Sequence, residues 1–261
     1  GLPLSSANWV RHVIETSTLA NPKGYALFPA DINADGQVDI VGCELMVGSG
    51  QARLGWWENG HAMPVSSEIS FAGADVATNL TGAWGVDIAD LNGDGWPDVA
   101  AAGHGTEVVD GHTRWWRSGG GSPLTWTQAW DVLLAKGRGL TTYAVGNGIP
   151  HLLVGNQAGG GEVRDYVGDN WNWSGYTQNQ RLSGLGDTYE AIAADINRDG
   201  IPDMVGTSAQ RGEVVWAKSI RTLDTWMQER IGGTCEGARA VCAGDFDGDG
   251  DLDVAAACTD E

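Results

Sequence analysis

A nine-residue acidic pattern, D-x-[DN]-x-D-G-x-x-D, occurs four times in the 261-residue chain. The copies lie at 31–39, 90–98, 195–203 and 245–253, so their first aspartates are 59, 105 and 50 residues apart. Because the middle step is about twice the others, we expect a degenerate copy between them. Residues 143–151 keep the Gly-Ile-Pro ending of the third full copy but have lost the aspartates. Self-similarity at such a period indicates a repeat architecture.

Apolar segments flank the acidic loops. In the first unit, 25–30 precedes the loop and 40–41 follows it, which predicts two strands joined by an acidic turn. A third apolar or aromatic segment follows in the four complete units, at 53–57, 113–116, 162–166 and 213–216. A fourth segment precedes each new unit, at 9–14, 126–130, 173–176 and 226–231.

Four strands in roughly 50 residues is the size of one β-propeller blade. We therefore predict an all-β fold, a single β-propeller domain over 1–261, with five repeat units of which the third is degenerate and the fifth incomplete. The predicted units span about 9–59, 60–120, 121–170, 171–220 and 221–261. The strand at 9–14 can close the ring against the last blade. Self-association and continuation of the chain past Glu261 remain open as ways to complete that blade.

The acidic loops have the donor pattern of a calcium site. Side chains at positions 1, 3 and 5, the backbone carbonyl at position 7 and the carboxylate at position 9 can surround one hard cation, while glycine at position 6 permits the turn. An all-oxygen set favours calcium over zinc or copper. Solvated acidic turns are the alternative, and a purely structural role for calcium is the favoured interpretation. The four predicted sites consist of Asp31, Asn33, Asp35, Gln37 and Asp39; Asp90, Asn92, Asp94, Trp96 and Asp98; Asp195, Asn197, Asp199, Ile201 and Asp203; and Asp245, Asp247, Asp249, Asp251 and Asp253.

These loops, the Trp-Trp-Glu-Asn ending at 56–59 and the Arg-His-Val-Ile strand at 11–14 resemble the FG-GAP/VCBS repeat propellers over roughly residues 9–258. The resemblance implies a propeller with calcium loops. That family includes integrin α-subunit heads, secreted lectins and propeller-type polysaccharide lyases, so the resemblance specifies fold and metal much better than function.

Charge and composition narrow the classes of partner. The formal net charge of −19 disfavours nucleic acid, and no apolar stretch approaches the roughly 20 residues of a membrane span. The four cysteines lie in no CxxC pair, which favours two disulfides in any of three pairings over a zinc site. Two glycosylation sequons, at 79–81 and 172–174, agree with a secreted protein.

One aligned position predicts a ligand site. Six residues before the first aspartate of each loop, the chain has three aromatic residues and one arginine where core strands usually have Val, Ile or Ala. We expect these side chains to converge on one channel mouth and to stack on a sugar, although they could instead simply plug the channel. The predicted site consists of Tyr25, Trp84, Tyr189 and Arg239, with Tyr143 as the nearest counterpart in the degenerate unit and Lys23, Asp187 and Glu236 as its polar rim.

The chain has 13 tryptophans, whose rings can stack on sugars, so two carbohydrate-related functions are considered first. The favoured hypothesis is a secreted carbohydrate-binding lectin, with repeated peripheral sites on Trp56, Trp57, Trp115 and Trp116 as an alternative location. The second is a polysaccharide lyase that acts on acidic sugars with Arg239, the tyrosines, His104 and His151. Protein adhesion of the integrin type is weaker, because nothing indicates a partner domain. We identify no convincing acid–base pair, and therefore no catalytic residues.

Overall fold

The computed structural model describes residue 14 and residues 22–46, 51–60, 71–105, 111–121, 123–134, 136–219 and 226–259. The described chain is all-β, with one turn of 3-10 helix at Ala158–Gly160. In this part of the chain no helix has the length and apolar character needed to cross a membrane. The predicted strand at 9–14 lies outside the described residues except for Ile14, which is exposed.

The strands form four four-stranded antiparallel sheets and one two-stranded sheet. In the first sheet, the strands are β1 (Pro22–Ala30), β2 (Asp39–Met46), β3 (Gln51–Asn59) and β4 (Phe71–Thr81). The second contains β5 (Ala83–Ala89), β6 (Asp98–Gly103), β7 (His112–Ser118) and β8 (Trp126–Leu133), and the third β9 (Gly137–Ala144), β10 (Pro150–Asn156), β11 (Glu162–Asp169) and β12 (Asn172–Ser183). The fourth contains β13 (Ala191–Ala194), β14 (Asp203–Ser208), β15 (Glu213–Ser219) and β16 (Trp226–Ile231), and the fifth β17 (Ala240–Gly244) and β18 (Asp253–Ala257).

Each sheet begins with a strand, an acidic or degenerate turn, and a second strand, as predicted. The fourth strand of each complete sheet hydrogen-bonds to the third strand before it, so β8 belongs with β7 rather than with the unit that follows. Sheet boundaries therefore fall later in the chain than the predicted unit boundaries. Strand β4 was not predicted, because 71–81 lacks the tryptophan that marks the other outer strands.

The hydrophobic core lies between neighbouring sheets. One cluster joins the first two sheets through Leu54 and Val86, and the next joins the second and third through Trp115 and Leu152. Two further clusters continue this arrangement to the fourth and fifth sheets. The first strands also contact one another, since β5 packs against β1 and β9, and β13 packs against β9 and β17. This succession of sheets is a propeller-like repeat, with the first strands innermost.

The disulfide prediction was only half right. Cys235 and Cys258 form a disulfide across the fifth sheet. The second predicted disulfide is absent. Cys43 is a buried thiol in β2, and Cys242 is an exposed thiol on β17. The spacing of four cysteines could not reveal this, since the two thiols lie in different sheets.

Candidate functional site

The four acidic loops share one hydrogen-bonding arrangement. In each, the N–H of the position-6 glycine donates to Oδ2 of the first aspartate at 2.8–2.9 Å, and the position-7 N–H donates to Oδ1 of the position-5 aspartate at 2.7–3.0 Å. All four glycines have φ between 80° and 90°, a conformation that side chains with a Cβ rarely adopt. The four loops therefore fold into the same turn, in which the carboxylates at positions 1 and 5 accept backbone N–H groups of the loop. The glycines are Gly36, Gly95, Gly200 and Gly250.

In three of the four loops, the last aspartate is held by a backbone N–H from the third strand of its sheet. Asp39, Asp98 and Asp203 are fully buried, and each accepts an N–H from the end of its third strand at 2.8–2.9 Å. Burial raises the pKa of all three carboxyl groups, and that of Asp98 to about 7, although the backbone hydrogen bonds oppose the shift. A bound cation would supply the positive charge that these buried carboxylates lack.

The donor chemistry of the loops fits calcium. The candidate ligands are all oxygen atoms, which calcium prefers. Each loop offers three carboxylates, one backbone carbonyl, and at position 3 either an amide or a fourth carboxylate. In the fifth sheet, Asp245, Asp247 and Asp253 bring carboxylate oxygens within 4.8 Å of one another. Three carboxylates this close repel one another unless a cation or protons intervene.

The degenerate loop of the third sheet replaces this arrangement with a buried ionic network. His151 occupies the position of the last aspartate, and its Nδ1 lies 2.9 Å from Oδ1 of Asp165. Arg181 donates to Oδ2 of Asp165 from Nε and Nη2 at 2.9 and 2.7 Å. Asp165 is 0% exposed, and His151 and Arg181 are 4% and 7% exposed. This network provides within the protein the charge balance that a cation would provide in the other loops.

Asp165 replaces a tryptophan at the equivalent place in the neighbouring sheets. Leu153 pairs with Asp165, whereas the corresponding pairs are Val41 with Trp56 in the first sheet and Ala100 with Trp115 in the second. In the first sheet, the Trp56 indole N–H donates to Asp39 at 3.3 Å. The third sheet thus has histidine where the others have aspartate, and aspartate where they have tryptophan.

A cavity of about 560 Å³ lies among the first strands, and all five sheets contribute to its lining. Within it, the guanidinium carbon of Arg138 lies 4.2 Å from the ring centroid of Trp84 and 4.0 Å from that of Tyr189. The guanidinium carbon of Arg239 lies 4.5 Å from the same Tyr189 ring. Aromatic rings and guanidinium groups therefore alternate in the order Trp84, Arg138, Tyr189, Arg239, an arrangement stabilised by cation–π attraction.

Two polar side chains hold Arg138 in this stack. The Oε1 atom of Gln157 accepts a hydrogen bond from Arg138 Nη2 at 2.9 Å and lies 2.8 Å from Nε2 of His104. The His104 ring is 5.8 Å from the Trp84 ring. Arg138 is only 8% exposed, so its guanidinium is largely withdrawn from water.

A second cavity, of about 680 Å³, adjoins the first. Tyr189 and Arg239 line both cavities. Asp187 and Glu236, which the sequence predicted as a polar rim, line the second. The Oδ1 atom of Asp187 is buried and accepts no hydrogen bond from the described residues.

Most of the predicted ligand site converges, and one member does not. Trp84, Tyr189 and Arg239 lie together, whereas the side chains of Tyr25 and Lys23 lie outside the described residues. Tyr143 is at the far end of β9, where its ring packs 4.7 Å from that of His151 and contacts the core of the third sheet. Its place in the predicted channel site was wrong.

The error came from the register of the degenerate unit. With His151 at position 9, Tyr143 itself occupies position 1, where the other loops have their first aspartate. Counting six residues back gives Gly137, and its neighbour Arg138 is the residue that reaches the cavity. The sequence could have indicated Arg138. This required aligning the degenerate loop with the others by placing His151 at position 9, where they have their last aspartate.

Two further sequence-based candidates are excluded by burial. Trp56, Trp57, Trp115 and Trp116 are 3–5% exposed and pack in the core, so they cannot form the alternative peripheral sugar sites. His151 is committed to Asp165 and is buried outside the cavity, which removes it as a proton-transfer group for the lyase alternative. The predictions for the four tryptophans and for His151 failed for the same reason. A sequence pattern does not reveal which face of a strand is covered by the next sheet.

Comparison with known proteins identifies the repeats. A family model described as FG-GAP-like repeat matches residues 31–101 and 195–256, which together make up just over half of the chain. The two matched segments contain all four acidic loops. No match is found among curated proteins.

Proposed function

Since the chain belongs to the FG-GAP-like repeat family, we propose that it is a secreted, calcium-stabilised carbohydrate-binding protein built as a β-propeller. The carbohydrate site is the cavity lined by Trp84, Arg138, Tyr189 and Arg239. The disulfide Cys235–Cys258 and the exposed sequon asparagine Asn172 support an extracellular location.

Calcium has a structural role in this proposal. The four acidic loops would hold one ion each, with Asp39, Asp98, Asp203 and Asp253 joining each loop to its second strand. When bound, the ion supplies positive charge that neutralises carboxylates which are otherwise buried or crowded. The protein's own contribution is the glycine turn and the strand-end N–H groups that orient those carboxylates.

The observation that carries the carbohydrate proposal is the stack in the first cavity. Trp84 and Tyr189 present aromatic rings, and Arg138 and Arg239 place hydrogen-bond donors beside them. Guanidinium groups donate hydrogen bonds to sugar oxygens, and aromatic side chains supply apolar contact area for sugar C–H groups. A cavity of about 560 Å³ is within the range of about 300–1,000 Å³ found for small-molecule sites.

A polysaccharide lyase is the second candidate. The observation in its favour is that Tyr189, with a phenol that can move a proton, lies between two guanidinium groups, with His104 beside Arg138. In such an enzyme the arginines would neutralise the uronate carboxylate while a neighbouring group removes the α-proton. Among the described residues, the carboxyl groups on the lining of this cavity, Asp87 and Glu190, accept backbone N–H groups from neighbouring sheets, so binding without reaction is the favoured function.

A glycan array and an ultraviolet assay separate the two functions. The calcium-loaded protein is applied to an array of neutral and acidic glycans, and the acidic polysaccharides are then incubated with it while the absorbance of unsaturated uronate ends is followed. Binding without an absorbance increase is the expected result. A steady absorbance increase that is lost in Tyr189→Phe would replace the lectin with the lyase.

The array also needs a matched pair of variants. Tyr189→Ala should lose the array signal, while Tyr176→Ala, which removes an exposed tyrosine on β12 outside both cavities, should retain it. Absence of binding to every glycan by the folded, calcium-loaded protein would contradict the proposal.

A further inference from the structure

We propose that the ligand is an acidic oligosaccharide that spans two adjoining subsites, with a carboxylate-bearing unit in the first cavity and a second sugar unit in the adjoining one. This inference rests on the proposed carbohydrate function and names its ligand class. The first cavity is called the inner subsite, lined by Trp84, Arg138, Tyr189 and Arg239. The second is called the outer subsite, lined by Asp187, Tyr189, Arg211, Glu236 and Arg239 among others.

The inner subsite selects negative charge. Arg138 and Arg239 both lie against the Tyr189 ring, with their guanidinium carbons 4.0 and 4.5 Å from its centroid. Two guanidinium groups within one cavity are unusual in a chain with a net charge of −19. Guanidinium groups match a carboxylate geometrically, because their paired N–H donors can bind both oxygens.

The acidic residues of the same cavity are already occupied. The two Asp87 oxygens accept N–H groups from Thr142 and Ile88, and the Thr142 hydroxyl also donates to this carboxylate at 2.9 Å. Glu190 accepts the Val241 N–H at 2.9 Å. These carboxylates therefore serve to join neighbouring sheets.

The outer subsite selects hydroxyl groups. Asp187 and Glu236 place carboxylate groups on the lining of this cavity. A carboxylate accepts hydrogen bonds from ligand O–H groups, and a hydrogen bond to a charged acceptor is stronger than one between neutral groups. Sugar hydroxyl groups supply such donors in adjacent pairs, and Glu236 on the same lining provides a second acceptor.

The two subsites share lining residues and therefore form one continuous binding site. Tyr189 and Arg239 line both cavities, whose volumes are about 560 and 680 Å³. Each volume alone falls within the range of a small-molecule site. A single uronic acid in the inner cavity does not extend to Asp187 and Glu236, whereas a linked second unit brings hydroxyl groups into the outer cavity. We therefore expect affinity to increase with chain length from one unit to two.

Titration calorimetry with defined uronate oligomers tests this inference. The probes are the monomers, dimers, trimers and tetramers of galacturonate, mannuronate and guluronate, and the oligosaccharides of hyaluronan, each titrated into the calcium-loaded full chain after removal of free calcium. At least one series should bind, with the dimer binding about tenfold or more tightly than the monomer.

Two pairs of matched variants assign the subsites. Asp187→Asn should reduce the affinity for the dimer toward that of the monomer without changing monomer binding, while Asp169→Asn, an exposed carboxylate on β11 outside both cavities, should change neither. Arg138→Gln should weaken monomer and dimer equally, and Arg117→Gln, an exposed arginine on β7, serves as its control. Circular dichroism confirms that each variant is folded.

The outcomes distinguish this inference from the proposed function. Equal affinity for monomer and dimer, or an equal effect of Asp187→Asn on both, would overturn the two-subsite arrangement. Binding of neutral glycans on the array with no binding of any uronate series would overturn the acidic ligand class while the carbohydrate function stands. Failure to bind any glycan would overturn both.

Discussion

The buried network of the third sheet makes a prediction that separates it from the calcium loops. In Asp165→Asn, Arg181 keeps its charge but loses the carboxylate that pairs with it through two hydrogen bonds, at 2.9 and 2.7 Å. His151 loses the carboxylate oxygen that its Nδ1 contacts at 2.9 Å. All three side chains are less than 8% exposed, so water cannot replace the lost partner.

The expected cost follows from that burial. Removing one partner of a buried ion pair typically destabilises a protein by about 3–5 kcal/mol, because the remaining charge has no compensation. Asparagine keeps one oxygen acceptor for Arg181, so we expect about 3 kcal/mol. The loss should be the same in excess calcium and in chelator, because the network contains no acidic loop residue.

Urea unfolding followed by tryptophan fluorescence measures this loss. The matched control is Asp203→Asn in the fourth sheet, which should cost stability in excess calcium and little in chelator. The double variant Asp165→Leu with Arg181→Met should recover part of the loss, since hydrophobic replacement of a buried pair is often neutral. A loss below about 1 kcal/mol for Asp165→Asn, or one that appears only when calcium is present, would refute the idea that this network substitutes for a cation.

Two further predictions concern calcium and pH. Chelation should lower the melting temperature in calorimetry, because a site saturated at a hundredfold excess over its Kd contributes about 2.7 kcal/mol, or roughly 5–10 °C for a chain of this size; an unchanged melting temperature would contradict the calcium sites. Burial raises the pKa of Glu190 in the folded protein. The contribution of this group to the free energy of unfolding is therefore fully present below about pH 4, and it is lost as the pH rises through the folded-state pKa. Glu190→Gln, whose amide oxygen can still accept the Val241 N–H, should therefore gain stability relative to the unmodified chain between pH 4 and 7.5 in urea titrations, and a difference that does not change with pH would contradict this assignment.

Much of the fold could be predicted because the acidic loops are local. A loop such as 90–98 specifies its own turn through hydrogen bonds among residues two to five positions apart. Its flanking strands follow from their apolar character. The pairing of β8 with β7 is a longer-range choice that no local pattern specifies, so the predicted unit boundaries were displaced.

The candidate site was predicted in part for the same reason. Trp84, Tyr189 and Arg239 lie at a fixed distance before an intact loop, and the repeat register places them together. Arg138 was missed because its loop has lost the aspartates that define the count. The contact between Asp165 and His151 joins residues 14 positions apart on neighbouring strands, and a single sequence does not display such a contact.

Stoichiometry and affinity, measured together by titration calorimetry with the glycan that gives the strongest array signal, test the central claim most directly. We predict one carbohydrate site per chain. Trp84→Ala should weaken binding about 10- to 100-fold, which is about 1.4–2.8 kcal/mol, and Tyr176→Ala should leave the affinity unchanged. The calcium content of both variants should equal that of the unmodified chain. Several equivalent sites per chain, with affinity unaffected by Trp84→Ala, would contradict a central site and place the carbohydrate elsewhere on the repeats.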